Sequence, residues 1–237
     1  MKRLVVFGIV ACCFARVISA DVLITNDSEW RYLHPTDGKD PAETVKDFHS
    51  TFMKADFDDS GWKKGKDKPG EHGGFGYGDS NFEGVDLGQP EDAPEAQNGE
   101  DIAAESKRKS AYFRLRFISK DEHTALLFKC QRDDGIIVYI DGEEVLRDNV
   151  KKDEKDRYDL FAENTTSGSA ETKVNKYAIK KKLAPGEHVM AISLHNRSGG
   201  SSDLRIAEIS LESVDEKELD NVVKDTEGEE AGVDDLF

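Results

Sequence analysis

Residues 126–149 read LLFKCQRDDGIIVYIDGEEVLRDN. An apolar run from Ala125 to Phe128 stops at the polar cluster Arg132–Gly135. A second run, Ile136–Ile140, is β-branched and aromatic, and stops at Asp141-Gly142 before the short run Val145-Leu146. Dense β-formers between Asp-Gly punctuation signal hairpins, because glycine tolerates positive φ and aspartate accepts hydrogen bonds from turn backbone. The stretch predicts three consecutive antiparallel strands. The unbroken run at 136–140 predicts a strand covered on both faces, as in the middle of a sandwich.

Working outward, the segment 111–117 (AYFRLRF) alternates strictly. It predicts a strand with Tyr112, Arg114 and Arg116 on one face and Phe113, Leu115 and Phe117 on the other. In 188–196, Val189, Ala191 and Ser193 face opposite to Met190, Ile192 and Leu194. The last strand, 204–211, needs a bulge to bring Ile206 and Ile209 to one face. Short strands are also expected at 22–24 and 29–33, with a short helix through 44–52. Phe57 and Trp62 flank an Asp-Asp-Ser-Gly turn and are expected to pin that loop to the core. The glycine-rich stretch 70–88 lacks the Lys-Ser/Thr ending of a phosphate loop, so it reads as a structural loop whose aromatics cover the core. Many short strands with Gly/Pro turns and almost no helix define an all-β antiparallel sandwich.

The chain has 237 residues, with 33 Lys+Arg against 49 Asp+Glu and a formal charge of −16. That balance argues against a nucleic-acid partner, which needs a basic patch. Residues 1–20 read as a secretory signal peptide: Lys2 and Arg3, then an apolar run from Leu4 to Phe14, then a small residue at Ala20. No stretch is long and apolar enough to span a membrane. The expected protein is secreted and extracellular, and starts near Asp21. Cys12 and Cys13 leave with the leader, so Cys130 has no intramolecular partner and is expected to be buried. The sequons at Asn26, Asn164 and Asn196 are expected glycosylation sites on the surface. A sandwich at 21–211 would carry a flexible acidic insertion at 89–110. It would be followed by an acidic, disordered tail at 212–237, within which a short helix at 215–224 is an option.

Taken in order, WRYL (30–33), FDDSGW (57–62), GYGD (76–79), AYFRLRF (111–117), DDGIIVYIDGEEVLRDN (133–149) and LAPGEHVMAISLHNRSGGSSDL (183–204) form a recognisable series. The chain resembles the galactose-binding-like β-sandwich, or jelly-roll, domains. These occur as carbohydrate-binding modules and as sugar-binding domains of glycoside hydrolases. The resemblance implies a jelly-roll fold and a carbohydrate or glycoprotein partner. It requires no cofactor, and it offers one metal, a structural calcium, for which Asp58, Asp59 and Asp134 are the candidate ligands. The alternative, that these aspartates are turn formers, stands ahead because no contiguous calcium-loop pattern is present. His195, Asn196, Arg197 and Asp203 end a core strand and enter a loop, and are the candidate sugar-reading residues. The competing reading has His195 orienting that loop. No catalytic residues are assigned. The resulting expectation is a non-catalytic binding module. The alternatives are an acidic matrix protein that binds calcium or a basic partner, and a divergent hydrolase. The oligomeric state is left open.

Overall fold

The computed structural model describes residues 20–79, 81–90 and 107–222. The leader through residue 19, the middle of the expected insertion (91–106) and the end of the expected tail (223–237) lie outside the described residues.

Two sheets face each other, and the all-β sandwich expected from the sequence is the fold observed. The first sheet contains β1 (Val22–Ile24), β4 (Phe75–Tyr77), β5 (Val85–Asp86), β7 (His123–Asp133), β10 (Asn175–Leu183) and β12 (Leu204–Ser213). Its order is β10-β7-β12-β4-β5, with β1 also paired to β12. The second contains β2 (Glu29–Leu33), β3 (Lys63–Lys66), β6 (Ser110–Ser119), β8 (Gly135–Ile140), β9 (Glu143–Asp148) and β11 (Gly186–His195), in the order β3-β2-β6-β11-β8-β9.

The Asp-Asp-Gly turn corrects one expectation. It does not close a hairpin. β7 pairs with β10 and β12, whereas β8 pairs with β9 and β11. Residues 133–135 therefore carry the chain from one sheet to the other. Gly135 is needed at that corner, since a Cβ there would stand 2.8 Å from the carbonyl oxygen of Asn149. The following Asp141-Gly142 turn does close a hairpin, β8–β9, with Asp141 at φ 53° and Gly142 at φ 83°.

Alternation decides which side chains enter the core. Phe113, Leu115 and Phe117 of β6 meet Met190, Ile192 and Leu194 of β11 and Ile136, Val138 and Ile140 of β8 between the sheets. Cys130 lies in the same core, and burial pushes its thiol up. The opposite faces of these strands are covered as well. Tyr112, Ile137, Tyr139 and Ala191 pack under Phe48 and Phe52 of the helix α1 (Phe48–Thr51) and its flank, and under Tyr158 and Leu160. This double cover explains the unbroken apolar run of β8. Phe57 and Trp62 pin their loop, but to this outer layer rather than between the sheets.

In β12 the expected bulge is present. The register shifts between Ala207 and Ser210, and Glu208 adopts φ 54°. Leu204, Ile206, Ile209 and Leu211 consequently all reach the core. The bulge is also where the neighbour of β12 changes from β4 to β1, and Asp67 Oδ2 accepts from Ile209 N there at 2.7 Å.

Three segments differ from expectation. The stretch 70–88 supplies β4 and β5, with Phe75 0% and Tyr77 3% exposed. The expected insertion ends earlier, since Ser110 already begins β6. The sandwich extends past 211: Val214 is buried, a helix starts at 216, and Leu219 packs at 0% exposure against Ala125 and Leu127.

Candidate functional site

The ends of β7, β12 and β4 lie side by side. Arg205 stands opposite Asp133, and Leu204 opposite Tyr77. Glycines bring β4 this close. A Cβ at Gly76 would lie 2.6 Å from the Leu204 carbonyl oxygen, and one at Gly78 would lie 2.2 Å from that of Ser202. The glycine-rich motif is thus a strand pressed backbone-to-backbone against β12.

Over these strand ends opens a cleft of about 480 Å³. Asp133 comes from β7, Asp203 and Arg205 from the start of β12, and Glu171 and Thr172 from the loop before β10. His72 and Glu71 precede β4, and Asp79 and Phe82 follow it. His72 Nδ1 contacts Asp79 Oδ2 at 3.0 Å. The Asn81 N–H, with His72 behind it, holds the Asp79 carboxyl below the usual range. Asp133 goes the other way. It is 6% exposed, and burial, contact with Asp134 and the negative charges around it push its carboxyl up to about 9. One wall is apolar: Tyr77, whose ring stacks on His34 at 5.2 Å, and Phe82.

Of the four candidate sugar-reading residues, Asp203 lies in this cleft. The structure corrects the expectation for His195 and Asn196, which are 0% exposed. His195 Nδ1 lies 2.8 Å from the Leu160 carbonyl oxygen and 3.0 Å from Ser110 Oγ. Its Nε2 lies 2.9 Å from Ser193 Oγ, which donates to Asp156 Oδ2 at 2.7 Å. Because Leu160 offers only an acceptor, Nδ1 carries the proton. Asn196 Nδ2 donates to the Tyr77 hydroxyl at 3.1 Å, and this buried amide is not offered to a glycan. Arg197 is exposed, and its backbone N–H donates to Asp134 Oδ2 at 2.7 Å. The other sequon residues differ from Asn196: Asn26 is half-buried and Asn164 is exposed.

The aspartates proposed for calcium are not brought together. Asp58 is exposed and accepts from Ser60 N at 2.9 Å, as a turn former does. Asp59 pairs with Arg114 at 2.7 Å and Arg31 at 3.3 Å. Asp134 accepts two backbone N–H groups, from Thr166 at 2.6 Å and from Arg197. Among the described residues no three His, Cys, Asp or Glu side chains are grouped to hold a metal ion. These residues therefore do not fit a calcium ion.

No family profile matches the chain, and no curated relative does. Among solved structures it is similar to a calcium-binding mutant of Bacteroides uniformis beta-glucuronidase 2, at 10% identity and TM-score 0.41. That match covers 82% of this chain and 18% of the other. It is also similar to a beta-glucuronidase from glycoside hydrolase family 2, at 11% identity and TM-score 0.36, covering 75% of this chain and 14% of that one. A family 35 carbohydrate binding module from Clostridium thermocellum matches at 13% identity and TM-score 0.28, over 45% of this chain and 73% of the module. The chain thus spans less than a fifth of the two beta-glucuronidase chains. At these values the likeness does not extend to activity, and the fold rests on the strand pairing described above.

Sequence reasoning missed Glu71, His72, Phe82, Glu171 and Arg205. A pairing of the last strand with the strand ending at Asp133 would have found Arg205. The loop residues carry no local signal.

Proposed function

We propose that this chain is a binding module that recognises carbohydrate in the cleft at the end of the first sheet. The observation that carries this reading is the cleft itself, where carboxylates and Thr172 stand beside the rings of Tyr77 and Phe82. Sugar rings present adjacent hydroxyls and an apolar C–H face. Carboxylates accept from the hydroxyls, and aromatic edges and faces pack on the C–H groups. A volume of about 480 Å³ lies within the range of roughly 300–1,000 Å³ typical of small-molecule sites. Secretion is part of the proposal and rests on the leader-like residues 1–20.

A screen of the mature chain against an immobilised glycan panel tests the reading. At least one glycan should bind, and Asp203→Ala should weaken that binding about tenfold or more. A panel without a single binder at millimolar glycan would sink it. Release of reducing sugar from a bound glycan would replace binding with hydrolysis as the function.

A further inference from the structure

We propose that the outer face of the second sheet carries a sugar site of its own, a hollow that takes the adjacent hydroxyls of an uncharged sugar on Asp156, His49 and Tyr112. It lies on the other sheet from the cleft described above, and neither site depends on the other.

The hollow has a volume of about 750 Å³. The helix α1 and its flank supply Phe48, His49 and Met53, β8 supplies Tyr139, and the segment between β9 and β10 supplies Asp156. Phe48, Met53 and Tyr139 form an apolar wall. The rim carries charges of both signs. Asp153 and Glu154 stand beside Lys152 and Lys155, and Arg147 is held by the two oxygens of Glu144 at 2.8 Å. An ion of either sign would therefore meet repulsion as well as attraction there.

Three buried polar atoms here have no hydrogen-bond partner among the described residues: Asp156 Oδ1, His49 Nδ1 and the Tyr112 hydroxyl. Asp156 and His49 line the hollow. The Asp156 side chain is 3% exposed. Its Oδ2 accepts from the Tyr139 hydroxyl at 3.0 Å and from Ser193 Oγ at 2.7 Å. Its Oδ1 faces His195 Nε2 at 3.5 Å, a nitrogen with no proton to donate. His49 Nε2 lies 2.8 Å from Asp40 Oδ1 and so keeps the imidazole proton, which leaves Nδ1 as an acceptor. Tyr112 is fully buried. It pairs across the strands with Ser193, and its ring lies 6.1 Å from that of His49. Two acceptors and one donor thus stand together, and each is costly to leave unmade in the interior. This set selects the ligand. A metal ion would need a third ligand, and among the described residues no three His, Cys, Asp or Glu side chains are grouped. An anion would face two acceptors. An ammonium could donate to both acceptors but would leave the Tyr112 hydroxyl without one. A hydroxyl both donates and accepts. Adjacent sugar hydroxyls can donate to Asp156 and His49 while one of them accepts from Tyr112, and the sugar's C–H face packs on Phe48 and Tyr139.

The experiment is saturation-transfer difference NMR on the full mature chain. The probes are the methyl pyranosides of glucose, galactose and mannose at millimolar concentration. At least one probe should give a signal that persists in Asp203→Ala, and its affinity should fall about tenfold or more in His49→Phe and in Asp156→Asn. A signal lost in Asp203→Ala would place the binding in the cleft of the first sheet and overturn the hollow. A signal unchanged in both His49→Phe and Asp156→Asn would overturn it as well. No signal from any probe would overturn the hollow and leave trapped water as the partner of the three atoms, while the glycan panel still judges the first cleft separately. If the two variants do not fold, nitrogen NMR of the wild type decides. The His49 Nδ1 resonance should move as sugar is added, and a fixed resonance beside bound sugar would overturn the proposal.

Discussion

Asp59 Oδ2 accepts from Arg114 Nε at 2.7 Å, and Arg114 is 1% exposed in the middle of the second sheet. The same guanidinium donates to the backbone carbonyls of Phe52 and Lys54, and its flat face lies 5.2 Å from the Phe57 ring centroid. The outer layer over β6 and β8 is therefore built around one buried cation, and Asp59 is its only ion-pair partner among the described residues.

Asp59→Ala should accordingly cost about 3–5 kcal/mol, the usual penalty for stranding a buried charge. The neighbouring Asp58→Ala removes one exposed turn contact and should cost no more than about 1 kcal/mol. Urea unfolding of the two variants checks the contrast. Similar losses would show that Asp59, too, acts only as a turn residue.

Asp133→Asn should stabilise the protein in mildly alkaline solution. The carboxyl is raised in the folded state to about 9 from an ordinary 3.8. The folded state therefore holds more protons than the unfolded one across that window, and stability falls as pH rises through it. The amide has no proton to lose. At pH 8 the variant should melt higher than the wild type, by about 2–4 °C for each kcal/mol recovered, and at pH 4 the difference should disappear. A variant melting lower at pH 8 would show that Asp133 is held by donors rather than left without them.

Gly76→Ala should destabilise strongly, because its Cβ would enter the space of the Leu204 carbonyl oxygen. Gly61→Ala, which meets nothing within 4 Å, is the matched control and should shift the melting temperature little. The two melting curves decide whether β4 needs its glycines for contact with β12 or tolerates a methyl group there.

Leu219→Ala tests where the domain ends. Leu219 is fully buried over β7, beyond the boundary at 211 that the sequence implies. The substitution should cost about 2–5 kcal/mol. Lys217→Ala, two residues away and exposed, should be near neutral. A neutral Leu219→Ala in urea unfolding would return the boundary to 211.

Strand identity was legible wherever alternation was strict, as in 111–117 and 189–194, and the broken alternation at 206–209 even announced the bulge at Glu208. Which sheet a strand joins was not legible, because the corner at Asp133–Gly135 uses the same residues as a hairpin turn. The tail misled through its charge: the spacing of Val214 and Leu219 offered a short helix, but not that the helix packs on the sandwich. Of the residues expected to read sugar only Asp203 lies in the cleft, since its walls come from segments that meet only through the pairing of β12. His195 misled for a different reason. It continues the Val189-Ala191-Ser193 face, which looked like the outside of a sandwich, but the charged segment 150–162 folds over that face with Tyr158, Leu160 and Ala162 buried. The apolar alternation at 158, 160 and 162 was the available signal.

His195 gives the last prediction. Burial, opposed in part by Asp156, lowers its pKa from an ordinary 6.5. The folded state thus binds fewer protons than the unfolded state below pH 6.5, so this contribution is fully present above that value and is lost as pH falls through it. His195→Gln removes the bond to Leu160 and the contacts with Ser110 and Ser193, and should cost about 1–3 kcal/mol at pH 7.5. The same variant should lose less additional stability than the wild type between pH 7 and pH 5. It keeps the part of the slope due to His34, whose ring is lowered by burial in the same way. Chemical denaturation at both pH values measures the difference. An unchanged slope would mean that His195 takes up its proton inside the fold as readily as in the unfolded chain, with Asp156, 3.5 Å from Nε2, as its counter-charge.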